Sequence, residues 1–218
     1  VISSASGIQN NFLNAGDNVS VTATFRESVI VDNASGNPEL TLVVGSNNRE
    51  ATYASVDNST TLVFQYTIQS GDNDTNGISI GENALDLSGG TIRDPAGNNA
   101  TLTHSSVDNN TSYKVDTTAP TANFTAATDD VGTVQEALTS GDTTDDTALV
   151  LSGTNESGSS VMVYKSSTEL GAATVSGTSW TYSATVADGT TYQFNVKETD
   201  LAGNTSNATT NFAVTGDT

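Results

Sequence analysis

The sequence contains no cysteine, one histidine and one tryptophan among its 218 residues. The lack of cysteine excludes disulfide bonds, thiolate metal sites and cysteine nucleophiles. With His104 as the sole histidine, no Ser–His–acid triad can be argued, and no glycine-rich phosphate loop follows a strand and opens a helix. Acid pairs are abundant, but acid pairs alone do not distinguish a glycosidase from a cation site. We therefore expect no enzymatic activity.

Basic residues are also scarce, because 6 Lys and Arg stand against 25 Asp and Glu, which gives a formal net charge of −19. This composition argues against nucleic acid as a partner, since neutralising phosphates requires clustered Lys and Arg. No apolar run is long enough to cross a bilayer, so we expect no membrane insertion. The excess of acids is either a solubilising surface or a set of cation ligands, and the placement of the acids favours the second interpretation.

Hydrophobic residues amount to 34% and lie in short runs without helical periodicity. Apolar and polar residues instead alternate with a period of two in stretches bounded by Gly, Asn, Asp or Ser. These stretches are 18–25, 39–44, 61–68, 100–104, 147–154, 160–166, 179–186, 191–198 and 209–215. Short strands at this spacing are typical of antiparallel β-sandwiches.

The stretch "KVDTTAP" (114–120) marks a boundary between two halves. Pro120 lacks a backbone donor and holds Ala119 in an extended conformation, so the stretch predicts a short, stiff linker that enters a new strand. We predict two tandem modules, 1–115 and 116–218.

Two aromatic residues indicate the kind of sandwich in the second module. Tyr192 directly follows a tight turn at the start of a strand, as in the tyrosine corner of immunoglobulin-like sandwiches. Trp180 lies inside an alternating run and is expected in the core. The predicted fold class is all-β, with two tandem immunoglobulin-like antiparallel β-sandwiches joined by a short linker.

The stretch "DLAGN" (200–204) places an acid, a flexible turn and an amide in one predicted loop. In an up-and-down order of strands, this loop returns to the same end of the module as the loop 155–159 and the linker. Calcium takes six to eight oxygens from carboxylates, amides and carbonyls, so a calcium site is expected at this end. Its predicted ligands are Asp116, Glu156, Asp200 and Asn204.

The first module repeats the pattern with "DPAGN" (94–98), which precedes its last predicted strand. A glutamate follows a predicted strand at the matching position. The predicted calcium ligands here are Glu27, Asp94 and Asn98. The alternative is that D-x-A-G-N is only a good hairpin turn, since Asp, Gly and Asn are all turn formers.

Two adjacent loops of the second module concentrate five more carboxylates. They would repel one another strongly unless a cation lies between them. These residues are Asp129, Asp130, Asp142, Asp145 and Asp146. A solvated acidic loop is the alternative.

The stretch "DNDTNG" (72–77) begins like an EF-hand calcium loop, with Asp72 and Asp74 as its first acids. Glu82 comes one place too early for that pattern, and the intervening "ISI" is typical of a strand rather than a helix. An EF-hand is therefore excluded, and both a local calcium site and an acidic turn remain open.

Several motifs of the second half occur together: "VDTTAP", "TDDVG", "SGDTTDDT", "LSGTNESGSSVMVYKSSTELGAATV" and "SWTYSATVADGTTYQFNVKETDLAGNTS". In combination they resemble the bacterial immunoglobulin-like tandem repeats of giant, calcium-dependent, type I-secreted (RTX-type) adhesins. The first half is similar, more loosely, to a related sandwich repeat of the same proteins. The motifs that carry this second likeness are "FRESVIVD", "NPELTLVVG", "REATYA", "LVFQYTIQSGDNDTNGISI" and "IRDPAGNNATL".

The resemblance implies extracellular extender repeats at the bacterial cell surface, which calcium at the module poles and the linker stiffens to project a distal binding domain. It implies neighbouring repeats of the same chain as partners, with the present chain a monomeric fragment. It also makes eight residues of the second half candidate calcium ligands: Asp116, Asp129, Asp130, Asp145, Asp146, Glu156, Asp200 and Asn204. The alternative function is a ligand-binding adhesin module that grips sugar or peptide through its loop tips.

Overall fold

A computed structural model describes residues 1–132 and 135–218 of the chain. The chain divides into two compact units, Val1–Thr118 and Ala119–Thr218, and each has its own apolar core. The described residues form strands, turns and bends without a helix, which confirms the all-β prediction. Among them there is accordingly no apolar helix with the length needed to span a membrane.

The first unit is built from one large sheet and two small ones. Its strands are β1 (Ile2–Ser6), β2 (Phe12–Leu13), β3 (Asn18–Thr24), β4 (Ile30–Asp32), β5 (Glu39–Val44), β6 (Asn47–Asn58), β7 (Thr61–Thr67), β8 (Asn73–Asp74), β9 (Leu85–Asp86), β10 (Thr91–Arg93) and β11 (Lys114–Asp116). The six-stranded sheet has the order β1-β3-β7-β6-β5-β9, while β10 pairs with β4 and β11 lies between β2 and β8. The pairing of β11 with β2 is parallel, and the other strand pairs of this unit are antiparallel.

Alternation of side chains places the core of the first unit on one face of the large sheet. In β5, Leu40, Leu42 and Val44 are buried and the intervening residues are only half-buried, as a period of two requires. Phe64 of β7 is fully buried and meets Tyr53 edge to face, with ring centroids 6.1 Å apart. The predicted strands over 18–25, 39–44 and 61–68 are confirmed.

The second unit is a sandwich of two five-stranded sheets. Its strands are β12 (Asn123–Thr128), β13 (Ala137–Leu138), β14 (Thr143–Thr144), β15 (Ala148–Thr154), β16 (Ser160–Lys165), β17 (Thr168–Ala172), β18 (Thr174–Ser176), β19 (Ser179–Thr185), β20 (Thr191–Thr199) and β21 (Phe212–Gly216). One sheet has the order β13-β12-β15-β19-β18 and the other has the order β14-β21-β20-β16-β17. The predicted strands over 147–154, 160–166, 179–186 and 191–198 agree with β15, β16, β19 and β20 to within one residue. The strand predicted over 209–215 begins three residues later than expected, at Phe212.

Aromatic residues organise the core of the second unit as predicted. Trp180 is 1% exposed, and its Nε1 donates a hydrogen bond of 3.1 Å to the carbonyl of Asn123. Tyr192 Oη accepts a hydrogen bond of 3.1 Å from the backbone N–H of Ala187, five residues upstream. This contact is the tyrosine corner of immunoglobulin-like sandwiches.

The predicted strand over 100–104 is wrong. Its side chains do alternate between half-buried and exposed, but its backbone does not form a ladder. Side chains compete for the hydrogen bonds instead: His104 N–H donates to Asn83 Oδ1 at 3.2 Å, and the Nε2 of His104 accepts from Ala84 N–H at 2.8 Å. Residues 100–104 are therefore an irregular segment that is held to residues 83 and 84 by hydrogen bonds of His104.

Candidate cation sites

Two loops of the second unit, 155–159 and 200–204, come together at one end of the sandwich. A Cβ atom added to Gly158 would lie 3.1 Å from the side chain of Leu201, so the backbone of one loop packs directly against the other. Glu156 and Asp200, two of the predicted ligands, are thereby placed on neighbouring loops.

The two D-x-A-G-N loops have the same internal geometry. Asp94 accepts hydrogen bonds from the backbone N–H and the side-chain amide of Asn98, both at 2.8 Å. Asp200 accepts the same two bonds from Asn204, both at 2.9 Å. The bonds from Asn98 lower the pKa of Asp94. Each loop is thus a self-bonded hairpin turn, as the turn interpretation requires, while a carboxylate oxygen retains a second lone pair for a cation.

Glu198 is a functional candidate that the sequence analysis missed. It is fully buried, and its Oε1 accepts hydrogen bonds from Glu156 N–H at 2.5 Å and from Ser159 Oγ at 2.6 Å. Its Oε2 is buried without any hydrogen-bond partner. The signal was present in β20, because Phe194, Val196 and Glu198 share the inward face at intervals of two.

Asn155 lies beside Glu198 and is 92% buried, being 8% exposed. Its Nδ2 donates to the carbonyl of Glu156 at 2.7 Å and contacts Ser159 Oγ at 3.2 Å. Its Oδ1, like the Oε2 of Glu198, is buried without a partner. This end of the second unit therefore holds two unsatisfied acceptor oxygens in residues that share Ser159 as a neighbour.

A second group of buried acids lies at the other end of β15. Asp129 and Asp146 are 4% and 3% exposed. The hydroxyl of Thr144 connects them, since it donates to Asp129 Oδ2 at 2.8 Å and accepts from Asp146 N–H at 3.1 Å. Asp146 Oδ1 accepts from Ala148 N–H at 2.7 Å, but Asp146 Oδ2 is buried without a partner.

The neighbouring acids of these pairs face outward. Asp130 and Asp145, which directly neighbour Asp129 and Asp146 in sequence, are exposed, and so is the separate Asp142. Asp145 occupies the space beside Gly132, where an added Cβ would lie 2.1 Å from its Oδ2. In each adjacent pair of acids, Asp129–Asp130 and Asp145–Asp146, one carboxylate is therefore buried and the other is exposed.

Glu27, Asp94 and Asn98 of the first unit line one cleft of about 610 Å³. The cleft also has apolar walls, to which Phe25 and Leu102 contribute. The structure thus brings the three predicted ligands around the same space.

Both carboxylate oxygens of Asp72 and of Asp74 accept hydrogen bonds from protein donors. Asp72 is fully buried and contacts Arg49 Nε at 2.6 Å and Tyr66 Oη at 2.5 Å. Burial alone would raise the pKa of Asp72, but the hydrogen bonds from Tyr66, the Gln69 backbone and Arg49 together hold it below the usual value.

Asp74 is 3% exposed, and its carboxylate accepts hydrogen bonds from three backbone amides. Its Oδ2 accepts from Gly45 N–H at 2.9 Å, and its Oδ1 accepts from Asn76 N–H at 3.1 Å and Gly77 N–H at 2.8 Å. These contacts favour the turn interpretation of the stretch 72–77 over a local calcium site.

Asp116 ends β11 and belongs to the first unit through the pairing of β11 with β2 and β8. Its Oδ1 accepts a hydrogen bond of 2.9 Å from Thr118 N–H. In the described parts of the chain, no three His, Asp or Glu side chains form a group that could hold a metal ion. A calcium ion would therefore have to combine one or two carboxylates with amide, hydroxyl, carbonyl or water oxygens, all of which it accepts.

Comparison with solved structures finds, among others, three neighbours of low identity. Fibronectin(III)-like modules of Clostridium thermocellum CbhA are 14% identical over 100% of this chain and 93% of that chain, with a TM-score of 0.42. A cytokine receptor complex is 13% identical over 91% of this chain and 97% of that chain, with a TM-score of 0.29. The SGBP-B protein of the Bacteroides ovatus mixed-linkage glucan utilization locus, in complex with a mixed-linkage heptasaccharide, is 14% identical over 95% of this chain and 44% of that chain, with a TM-score of 0.26.

No curated protein matches the chain. Residues 117–218 match a family model, that of the bacterial Ig-like domain. Together with the tyrosine corner and the two packed sheets, this match shows that the second unit is similar to a bacterial Ig-like domain.

Proposed function

We propose that the chain is a pair of extender repeats from a large extracellular adhesin of the bacterial surface, stabilised by calcium at the module ends. The observation that carries the proposal is the buried group formed by Asp129, Thr144 and Asp146, in which one carboxylate oxygen has no protein donor. This oxygen supports a cation site in the loops where the acid pairs were predicted to bind calcium.

The energetics of burial support a cation at this position. Taking an ionised carboxylate out of water costs several kcal/mol unless an opposite charge or sufficient hydrogen bonds compensate it. In the described residues, no Lys, Arg or His side chain pairs with Asp129 or Asp146. Calcium would supply the missing charge through hard oxygen ligands, and extracellular calcium modules bind with dissociation constants of about 10⁻⁴–10⁻³ M.

The modular organisation supports the extender role. Each unit has its own core, so successive units can be stable in series, as in repeat proteins that behave as one-dimensional arrays. Calcium that binds only the folded module stabilises it by mass action. In a compartment with little calcium the same acids repel one another, which keeps the chain pliable for export.

The primary test is thermal unfolding of the whole chain with calcium, with magnesium at the same ionic strength as the control. We expect a calcium-specific rise in melting temperature that Asp146→Asn reduces, because the variant removes the charge of one buried ligand. Asp188→Asn makes the same charge change at an exposed turn of the same module and should keep the rise. A chain that responds equally to calcium and magnesium, or to neither, would refute the calcium role. Small-angle scattering should show a narrower range of particle lengths in calcium if the repeats act as extenders.

The cleft of the first unit favours a second candidate, a ligand-binding adhesin module. Its volume of about 610 Å³ falls within the usual range for small-molecule sites. Its walls combine apolar Phe25, Leu40 and Ile80 with polar Glu27 and His104. Titration with oligosaccharides and short peptides, followed by NMR shifts of residues around the cleft, distinguishes this candidate, because the extender role expects no saturable shifts there.

A further inference from the structure

We infer that Glu198 and Asn155 are the inner ligands of a calcium site at the end of the second module opposite to Asp146. The inference rests on the proposed calcium binding of this module and adds a pair of ligands to it. Strand β15 separates the two ends, with Asp146 before its first residue and Asn155 directly after its last. At about 3.3 Å per residue, the two sites lie roughly 25–30 Å apart.

Glu198 has the burial and the bonding of a carboxylate prepared for a cation. It is fully buried in β20, and its backbone is fixed because its N–H donates to Ser206 Oγ at 2.9 Å. The Ser159 hydroxyl lies 2.6 Å from Oε1, which is the usual length for a hydroxyl that donates to an ionised carboxylate. No Lys, Arg or His side chain of the described residues pairs with Glu198, and its Oε2 has no donor.

The amide of Asn155 is oriented by two backbone carbonyls. Its Nδ2 lies 2.7 Å from the carbonyl oxygen of Glu156 and 3.4 Å from that of Gly177. Rotating the amide would bring its oxygen against these acceptors, so the Oδ1 must point away from them. In that direction the Oδ1 is buried and has no donor.

A divalent cation accounts for all of these features at once. It would neutralise the buried charge of Glu198 and supply both unpartnered oxygens with a positive centre. A buried water would satisfy the two acceptors but would leave the charge uncompensated. Carboxylate, amide and hydroxyl oxygens are hard ligands, which suit calcium better than transition metals.

Trp180 lies close enough to the proposed site for metal binding there to be followed by luminescence. Asn155 N–H donates to the carbonyl of Thr178 at 3.1 Å, two residues from the sole tryptophan of the chain. Terbium(III), which replaces calcium at oxygen sites, emits when a nearby indole is excited. The indole of Trp180 should therefore sensitise terbium at Glu198 strongly and terbium at the distant Asp146 weakly.

The experiment titrates the whole chain with terbium under tryptophan excitation and then displaces terbium with calcium. We expect saturable emission in the wild type and in Asp146→Asn. Glu198→Gln should lower the apparent affinity at least tenfold, because it preserves shape and removes the charge. Retention of the full signal and of calcium displacement in Glu198→Gln would overturn the inference.

Thermal unfolding of the same variants provides the second readout. In EDTA, Glu198→Gln should be at least as stable as the wild type, because it removes a buried negative charge that no cation of the described residues compensates; in calcium it should be less stable. Greater stability than the wild type in both conditions would mean that a proton or nothing occupies the site, and the inference would fall. If Asp146→Asn loses calcium stabilisation and Glu198→Gln keeps it, only this inference fails. If neither variant changes the calcium response, the proposed function fails as well.

Discussion

Asp72 is the residue at which burial and charge are most closely coupled in the first module. It is fully buried, while its partner Arg49 is 33% exposed, so the ion pair bridges the interior and the solvent. Arg49 contacts Oδ1 of the carboxylate, while Tyr66 Oη and the Gln69 N–H donate to its Oδ2 at 2.5 and 3.0 Å. An asparagine at this position would keep only one of the two acceptor oxygens, so at least one of the three donors would lose its acceptor, which makes the site sensitive to substitution.

We predict that Asp72→Asn destabilises the first module by about 1–3 kcal/mol, the usual cost of leaving a buried hydrogen-bonding group without its partner. Denaturant unfolding measures the loss. Asp108→Asn, which changes an exposed acid of the same module, should cost less than about 0.5 kcal/mol. A loss below about 1 kcal/mol for Asp72→Asn would instead class the pair with surface ion pairs.

The same network determines two pH limits with opposite signs. The pKa of Asp72 is lowered from 3.8, so its contribution to stability is present above that pH and is lost as the pH falls through the folded value. Burial and the hydrogen bond to Asp72 raise the pKa of Tyr66 from 10.0 to about 12. The contribution of Tyr66 is therefore complete below pH 10 and is lost as the pH rises towards 12.

We predict that one tyrosine of the chain titrates late in an ultraviolet absorbance titration of the folded protein. The late phase, with a pKa of about 12, should disappear in Tyr66→Phe and should shift to lower pH when Asp72→Asn removes the neighbouring charge. Tyr164→Phe is the control, because it should leave the late phase intact. A late phase that survives Tyr66→Phe would contradict the assignment.

The candidate ligands show how far residue-level prediction reached. Acid pairs were located from the sequence, but only the structure separates buried Asp129 and Asp146 from their exposed neighbours. Which residue of a pair turns inward depends on the loop backbone, and no periodicity exists there to reveal it. Glu198 was predictable from the alternation of β20, yet an isolated acid among strand residues resembles an ordinary solvent-facing position.

Among the elements, the D-x-A-G-N turns show why an identical motif recurs in both modules. Gly97 and Gly203 have φ angles of 92° and 88°, in the left-handed region that favours glycine. Each turn then closes through the paired Asp and Asn. The recurrence is therefore explained by turn formation even before any cation is considered.

We predict that Gly97→Ala costs about 1–2 kcal/mol through backbone strain alone. An added Cβ at Gly97 meets nothing within 4 Å, so steric contact does not contribute. Gly81→Ala is the matched control, because its site is equally open and lacks a positive φ; there the substitution should be neutral or stabilise by about 0.4–1 kcal/mol. Equal effects on denaturant unfolding at both positions would rule out the strain argument.

Strands were predictable where alternation was regular and were missed where it was not. The twelve-residue β6 (Asn47–Asn58) was not predicted, because it begins with polar residues and its register with β7 shifts twice. The shift between Tyr53 and Ser55 changes the face to which the next side chains point, which destroys a period of two. The opposite error occurred over 100–104, where alternation was present but the His104 ring and Asn83 took part in the backbone hydrogen bonding.

At the scale of the whole molecule, a net charge of −19 opposes folding through self-repulsion, and any salt relieves part of it. Specific calcium binding must therefore be separated from screening. The two modules differ in how completely protein donors satisfy their buried acceptor oxygens. Asp72, Asp74 and Asp94 of the first module accept protein hydrogen bonds on both oxygens. The unpartnered buried oxygens of Asp146, Asn155 and Glu198 all belong to the second.

We predict that calcium stabilises the second module more than the first. Trp180, the sole tryptophan, reports unfolding of the second module by fluorescence, while calorimetry records both modules. At a calcium concentration of 100 Kd, one site adds about 2.7 kcal/mol, which corresponds to roughly 10–20 °C for a module of this size. Because two sites are proposed in the second module, the fluorescence midpoint should rise by at least that amount, and a calorimetric transition without a fluorescence change should move less. Equal shifts of both transitions in calcium, but not in magnesium at matched ionic strength, would instead place calcium in both modules and make Glu27, Asp94 and Asn98 the ligands to test next.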